Sequence, residues 1–186
     1  RPRPASDEEM AIALAAPEPI LTAVLLAGYA GMRRSEIAGS HREHITEDVI
    51  IIPRAKGGDP QTVPCHPAIW EHVRDRPAGP LIVDHRGPVS RERLTAIVSR
   101  WARAVGLREL SGDPRWGLHR LRHRYGTLIQ REYRDLRVTQ ECLRHRSIAS
   151  TQIYTQVTDE QRRAAVARLP WVRHRPDAAR PVPPAA

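Results

Sequence analysis

The sequence predicts an α+β fold that is mainly helical and carries a small three-stranded antiparallel sheet. Apolar residues recur at helical spacing along most of the chain, and polar N-cap residues precede several of these runs. One stretch, residues 44–64, instead holds β-branched runs on either side of a glycine-rich turn. The chain has 186 residues, which suits a single domain with one hydrophobic core.

The first part of the chain predicts three helices separated by proline and glycine breaks. Ser6 and the acidic residues after it are typical of a helix start. The second helix is almost wholly apolar, so we expect it to be deeply buried. The third begins at Arg33, beside the break at Gly31, where a side chain can leave the core and reach a ligand. The predicted helices cover residues 6–15, 20–29 and 33–38.

The sheet is predicted in the stretch with β-branched residues. Its glycine-rich turn, residues 56–60, joins two of the strands as a hairpin and places Lys56 at an exposed tip. A flexible tip can deliver a long side chain into a neighbouring cleft. The predicted strands lie near residues 44–45 and at residues 49–52 and 61–63.

The rest of the chain returns to helical patterns. Ser90 is typical of an N-cap, and Ser147 can cap a helix that bears Tyr154. Residues 81–83 predict a short extended piece, and residues 107–117 predict an irregular loop. Further helices are predicted at residues 67–74, 90–105, 119–132, 135–143 and 159–168.

The chain is strongly basic, which indicates a polyanionic partner. Thirty Lys and Arg residues against 21 Asp and Glu give a net charge of +9 and an isoelectric point near 10.8. An anionic membrane surface attracts the same cations. Basic residues are interspersed with acidic ones in the predicted helices, and no apolar run approaches the roughly 20 residues that span a bilayer. Nucleic acid is therefore favoured over membrane.

Lysine use is unusual, because Lys56 is the only lysine among the 30 basic residues. Arginine stays protonated at any relevant pH, whereas a lysine can lose its proton when its surroundings lower its pKa. Lys56 is thus a candidate proton donor. The alternative is that one surface lysine has survived by chance in a turn.

His119 and Arg122 form the first candidate site. They are three residues apart at a predicted helix start, so they share one face and can meet the same phosphate. Two alternatives stay open. The basic run that also contains Arg120, His123 and Arg124 is typical of a solvated helix face. His119 and His123 also have a spacing that can bind zinc, although no third ligand is apparent.

Arg33 would supply a second guanidinium. If the bound phosphate is attacked, negative charge gathers on the two non-bridging oxygens of the phosphorane, and two guanidiniums can stabilise that charge. Glu36 can pair with Arg33 within the same turn. His145 and Tyr154 are nine residues apart, so both can face one site only if the backbone breaks between them, as Ser147 suggests. Polar neighbours distinguish Tyr154 from the other tyrosines.

Four segments, in their order and spacing, resemble the catalytic domain of the tyrosine recombinase (phage integrase) family. The resemblance runs from about Ser6 to Asp159, and its specificity lies in the ensemble. Arg144 departs from the family pattern, which usually has glycine before the second histidine. The segments are Gly31-Met32-Arg33-Arg34-Ser35-Glu36, His119-Arg120-Leu121-Arg122, Leu143-Arg144-His145 and Ser150-Thr151-Gln152-Ile153-Tyr154.

The resemblance implies a site-specific DNA recombinase, an integrase of a phage or mobile element, with a role for each candidate residue. Tyr154 is implied as the nucleophile that forms a 3′-phosphotyrosyl bond, with Lys56 as the general acid on the leaving 5′-oxygen. His119 is implied to take or guide the tyrosine proton. His145 is implied to hydrogen-bond the phosphate. Arg33 and Arg122 are implied to clamp its oxygens, with Glu36 in support, and neither a metal nor another cofactor is implied.

The resemblance also implies partners and domain limits. Double-stranded DNA with attachment sites is the expected substrate, bound by a homo-tetramer in the synaptic complex, with a free monomer and a possible DNA-bending accessory protein. We expect a catalytic domain at residues 6–170, between a disordered lead-in at residues 1–5 and a disordered tail at residues 171–186. We also expect the N-terminal core-binding domain of family members to be absent from this chain, which would make it an excised fragment or a minimal member.

Two alternative functions stay open. A type IB topoisomerase shares the covalent chemistry and would relax supercoils without pairing two sites. A catalytically silent DNA-binding module would keep the charge and lose the reaction. We expect a cytoplasmic, nucleoid-associated protein of a bacterial host, because the sequence shows no signal peptide and its two cysteines suit a reducing compartment.

Overall fold

The computed structural model describes residues 3–53, 59–144 and 159–170, which form a helical body with two small antiparallel sheets. The predicted mainly helical α+β fold is confirmed. The strands are Val49–Ile52 (β1), Gln61–Pro64 (β2), Val83–Asp84 (β3) and Gly87–Pro88 (β4). The helices are Asp7–Leu14 (α1), Ile20–Tyr29 (α2), Arg34–Ala38 (α3), Pro67–Val73 (α4), Arg91–Ala104 (α5), Leu107–Ser111 (α6), Leu118–Tyr133 (α7), Leu136–Leu143 (α8) and Asp159–Ala167 (α9).

Helix α2 lies at the centre of the body. All of its residues except Leu21 are buried, and it packs against α7, α4 and α1. Ser6 and Ser90 cap α1 and α5 through their side chains, as the sequence predicts. The core is built mainly from aliphatic side chains, with Trp116, Tyr29 and Tyr125 as its largest fully buried members.

The predicted three-stranded sheet is wrong in its strand count. β1 and β2 pair antiparallel, with Val49 opposite Pro64 and Ile52 opposite Gln61. The expected strand at residues 44–45 is instead a 3₁₀ turn, Arg42–His44, and Ile45 forms one isolated bridge to Ile50. The Arg42 guanidinium donates to the Ile45 carbonyl, 2.7 Å, which holds the turn closed. β3 and β4 form a second two-stranded sheet around residues 84–87.

The predicted loop at residues 107–117 is wrong over its first part, because Leu107–Ser111 is helical. Gly106 and Gly112 cap the two ends of this helix, with φ angles of 73° and 65° in the left-handed region that glycine adopts without strain. Leu107 is fully buried and anchors the turn against the core.

Helix α7 buries charges that fasten it to α1, against the alternative of a solvated basic face. Glu9 is fully buried and accepts from the Arg120 guanidinium at 3.1 and 3.2 Å and from Trp116 Nε1 at 3.3 Å. Arg120 also pairs with Asp113, 3.2 Å. Arg124, equally buried, pairs with Asp7. In this run, His119 and His123 stay exposed, whereas Arg120, Arg122 and Arg124 are buried.

Helix α9 packs on α7, α8 and β2 of its own chain, and it buries Ala165 and Val166, with Leu169 just beyond it. The prediction of a helix at residues 159–168 is therefore confirmed. Within the described ranges, every helix is too short or too polar to cross a membrane.

Candidate active site

The N-terminal turns of α7 present His119 and Arg122 on one face, as their spacing predicts. Arg122 is buried, and its guanidinium donates to the carbonyls of Gly31 and Leu143, the latter at 2.6 Å. These two contacts leave three of its five N–H groups for a ligand. Burial and the charges of Arg33 and Arg144 lower the pKa of Arg122 to about 10, so it remains cationic at neutral pH.

His119 keeps an exposed edge toward the same space. Partial burial and the neighbouring charges of Arg122, His123 and Arg34 lower the pKa of His119 below its ordinary value. The imidazole is therefore neutral at neutral pH. A neutral imidazole can accept a proton from a nucleophile.

Arg33 stands at the start of α3, where its extended backbone caps the helix. Glu36 closes the turn, because its carboxylate accepts from the Arg33 backbone N–H at 2.7 Å and from the Arg33 guanidinium at 2.9 Å. The Glu36 side chain is 2% exposed and that of Arg33 is 24% exposed. The carboxylate thus lies behind the arginine and orients it toward the open side.

Gly31 joins the two halves of the site. Its φ of 58° lies in the left-handed region, and its carbonyl accepts from Arg122. A Cβ added at Gly31 would lie 2.5 Å from the Tyr125 ring. The position therefore requires glycine for both its backbone angle and its close approach to α7, a role that the sequence analysis, which treated Gly31 as a helix break, missed.

Arg144 is a further site residue that the sequence analysis noted only as a departure from the family pattern. Its guanidinium donates to Glu36 at 2.6 Å, and its carbonyl accepts from the Arg33 guanidinium at 2.8 Å. Its side chain is 4% exposed. Its φ of 53° ends α8 in the left-handed conformation. A left-handed φ is typical of glycine, but the sequence alone does not show that Arg144 adopts this angle.

Arg33, His119 and Arg122 line one cleft of about 810 Å³. Six arginines line it, and no carboxylate does among the residues that the structure describes. An excess of fixed positive charge in a concave site favours an anionic ligand. The other lining arginines are Arg34, Arg91, Arg108 and Arg115.

The structure brings together Arg33, His119 and Arg122, with Glu36 directly behind them. Lys56, His145 and Tyr154 lie outside the described residues, so their predicted roles stay predictions. Over residues 3–53, 59–144 and 159–170, no group of three or more His, Cys, Asp or Glu residues could hold a metal ion. Two guanidiniums and a neutral imidazole on one cleft can bind a phosphodiester and take up a proton beside it.

Known proteins are similar to this chain in sequence and in fold. The phage integrase family matches residues 7–161. The chain is 31% identical over 144 residues to the tyrosine recombinase XerC of Thermodesulfovibrio yellowstonii, which covers 68% of this chain and 46% of that protein. The solved integrase of mycobacterium phage Brujita has a TM-score of 0.72 at 31% identity, covering 94% of this chain and 60% of that one.

A more distant structure shows the same fold. In the lambda integrase tetramer bound to a Holliday junction, one chain superposes with a TM-score of 0.59 at 18% identity, covering 84% of this chain and 49% of that one. This chain spans about half the length of the curated relatives it matches, since it covers 46% and 52% of the first two.

Proposed function

Because the chain belongs to the phage integrase family, we propose that it is the catalytic domain of a site-specific tyrosine recombinase. In this proposal it cleaves and rejoins double-stranded DNA through a 3′-phosphotyrosyl intermediate. We place the domain at residues 6–170. The integration or excision of a phage or mobile element is the proposed role, supported by the likeness to the Brujita phage integrase.

One observation carries the proposal: Arg33, His119 and Arg122 line one cleft in which none of the described lining residues is a carboxylate. A phosphodiester bears one negative charge, and its transition state gathers more on the non-bridging oxygens. Arg122 is buried and Arg33 is largely buried, so their interaction with that charge is less screened than at an open surface. Both side chains are also fixed by hydrogen bonds before the substrate binds.

The proposed reaction proceeds in two reversible steps. The Tyr154 oxygen attacks the scissile phosphorus, its proton passes to or through His119, and the bond from phosphorus to the 5′-oxygen breaks. Lys56 protonates that leaving oxygen, and His145 hydrogen-bonds the phosphate. In the second step a 5′-hydroxyl attacks the phosphotyrosine and releases Tyr154. The phosphodiester energy is kept in the intermediate, so the proposal needs no ATP or other cofactor.

We further propose that the chain acts as a tetramer on paired DNA sites, with a possible DNA-bending protein and a monomeric free state. The lambda integrase structures, a dimer on a core site and a tetramer on a Holliday junction, support this assembly for a chain of the same fold. The XerC relative is bacterial, which supports a bacterial cytoplasm, at the nucleoid, as the place of the reaction.

Relatives named tyrosine recombinases and integrases favour recombination over topoisomerase-like relaxation or a silent binding module. Relaxation of supercoiled plasmid by the monomer, without paired sites, would support the topoisomerase alternative.

Covalent trapping on a nicked duplex tests the proposed chemistry. The duplex sequence is first selected for binding to the chain from a random library, and adducts are resolved on a denaturing gel. We expect an adduct from the unaltered chain, none from Tyr154→Phe and a strongly reduced yield from Lys56→Ala. Tyr133→Phe, at the end of α7, is the matched control and should behave like the unaltered chain. An adduct that persists in Tyr154→Phe would refute the assigned nucleophile.

A further inference from the structure

We propose that Arg144 is a positioning residue for the Arg33 guanidinium, and that its charge keeps Arg33 available to the substrate phosphate. The inference rests on the proposed function for its catalytic consequence. Its structural part concerns contacts that exist without DNA.

Arg33, Glu36 and Arg144 form a closed ring of hydrogen bonds. The Arg33 guanidinium donates to Glu36 Oε1 at 2.9 Å and to the Arg144 carbonyl at 2.8 Å. The Arg144 guanidinium donates to Glu36 Oε2 at 2.6 Å. Each member therefore holds the other two, and the ring ties the start of α3 to the end of α8. Removing the Arg144 guanidinium leaves the Glu36 carboxylate bonded only to Arg33, at the start of its own helix.

Arg144 does not line the cleft that Arg33 and Arg122 line. Its side chain is 4% exposed, and it is not among the residues that line the 810 Å³ cleft or the neighbouring 560 Å³ groove beside α7 and α8. Its Nε and Nη1 have no hydrogen-bond partner in the part of the chain that the structure describes. A contact to the phosphate is thus left to Arg33 and Arg122, which do line the cleft.

The charges explain why a third arginine matters. Without the Arg144 guanidinium, Arg33, Arg122 and Glu36 would together leave one net positive charge at the site. With Arg144 sharing Glu36, three guanidiniums including Arg122 face one carboxylate, which leaves two net positive charges. Burial limits the screening of that excess.

The backbone of Arg144 determines which substitutions can test its side chain. Arg144 has a φ of 53° and a ψ of 48°, a conformation that glycine adopts without strain and that costs other residues about 1–2 kcal/mol. Arg134 has a φ of 52° with an exposed side chain, so this conformation alone assigns no role to an arginine, and a glycine variant of Arg144 also changes the backbone.

Arg144→Gly relieves the backbone and removes the guanidinium, while Arg144→Lys keeps the charge and one donor. The matched control is Arg134→Gly, because Arg134 ends α7 with a φ of 52° and its side chain is exposed. Any effect of adding glycine at a left-handed helix end therefore appears in both glycine variants. Thermal unfolding checks that each variant is folded.

The first measurement is the ¹⁵N-edited spectrum of arginine Nη–H groups in the DNA-free chain, because Arg33 joins the ring through Nη1 and Nη2, with the Arg33 signal assigned through Arg33→Lys. We expect Arg144→Gly to shift this signal and to speed its exchange with water at least tenfold. Arg144→Lys should restore part of the protection, and Arg134→Gly should leave the signal unchanged. An Arg33 signal unaffected by both Arg144 variants overturns the inference.

The second measurement is the rate of covalent adduct formation at saturating selected nicked duplex. We expect Arg144→Gly to lower it about 10- to 100-fold, as for loss of a charge-assisted hydrogen bond, with a duplex Kd within threefold. Arg144→Lys should recover at least part of the rate. Equal rates for both glycine variants overturn the catalytic part. If the unaltered chain forms no adduct, the proposed function fails, while the spectrum still decides the positioning role.

Discussion

The buried pair of Glu9 and Arg120 should be a main determinant of stability, and Glu9→Gln tests it. Glu9 is fully buried and the Arg120 side chain is 4% exposed. The carboxylate accepts two hydrogen bonds from Arg120, one from Trp116 and one from Arg3, the last at 2.7 Å. Glutamine keeps the shape but loses the charge, so the Arg120 cation stays buried with less compensation.

Removing one partner of a buried ion pair costs about 3–5 kcal/mol. Asp113 still pairs with Arg120 at 3.2 Å, and its side chain is 27% exposed, so part of the compensation remains. We therefore expect a loss of about 2–4 kcal/mol. For a chain of 186 residues this corresponds to a fall in Tm of about 5–15 °C.

Urea unfolding followed by circular dichroism measures the loss. Glu8→Gln is the matched control, since Glu8 is an exposed neighbour on the same turn of α1 and should cost less than about 1 kcal/mol. A double-mutant cycle with Arg120→Met should give a coupling energy of at least about 1.5 kcal/mol. Surface substitutions usually change the free energy of unfolding by no more than about 0.5 kcal/mol. If the free energies of unfolding of Glu9→Gln and Glu8→Gln differ by less than about that amount, the reasoning is refuted.

Two further perturbations follow from the site and the core. Gly31→Ala should lower the free energy of unfolding by about 2–4 kcal/mol, because the added Cβ would lie 2.5 Å from the Tyr125 ring on a left-handed backbone. It should also abolish most adduct formation, because the same backbone orients the Gly31 carbonyl that Arg122 contacts. Gly112→Ala, at a φ of 65° with no atom within 4 Å of the added Cβ, is its control and should cost about 1 kcal/mol, so equal losses would contradict the contact argument. Burial lowers the pKa of His66 to about 4, and its ordinary value is about 6.5, so the unfolded chain binds a proton first. The stabilisation is complete above pH 6.5 and should fall by about 2–3 kcal/mol as the pH drops to 4, as measured by urea unfolding across this window. His66→Gln should flatten that slope and His123→Gln, at an exposed position, should not; a slope unchanged in His66→Gln would show that other groups cause it.

Local signals predicted most of the helices. Ser6 and Ser90 mark helix starts by a chemistry that acts within one turn, and the apolar run of α2 has few alternatives to burial. The third strand and α6 were mispredicted because their outcomes depend on side-chain contacts that the residue pattern does not show. The Arg42 guanidinium binds the Ile45 carbonyl and holds Ile45 at the end of a turn, outside the sheet. Leu107 starts a helix whose position depends on the burial of its side chain in the core.

The site could be predicted only in part. The resemblance to a family selected Arg33, His119 and Arg122, and the structure places them on one cleft. Spacing alone could not distinguish a solvated basic helix from one whose arginines are buried. The arginines of α7 are buried because they pair with Glu9 and Asp7, which lie more than a hundred residues earlier in the sequence. The ring through Arg144 is equally non-local, since it spans 108 residues between Glu36 and Arg144.

The fastening of α1 to α7 also gives the molecule a mechanical property. Glu9 and Asp7 hold Arg120 and Arg124, while Arg122, between them on the same helix, donates to the Gly31 and Leu143 carbonyls beside the cleft. Tension applied at the amino end of the chain would pass through α1 into the helix that carries His119 and Arg122. We therefore expect a pulling force applied at α1 to displace His119 and Arg122 before it displaces the two sheets.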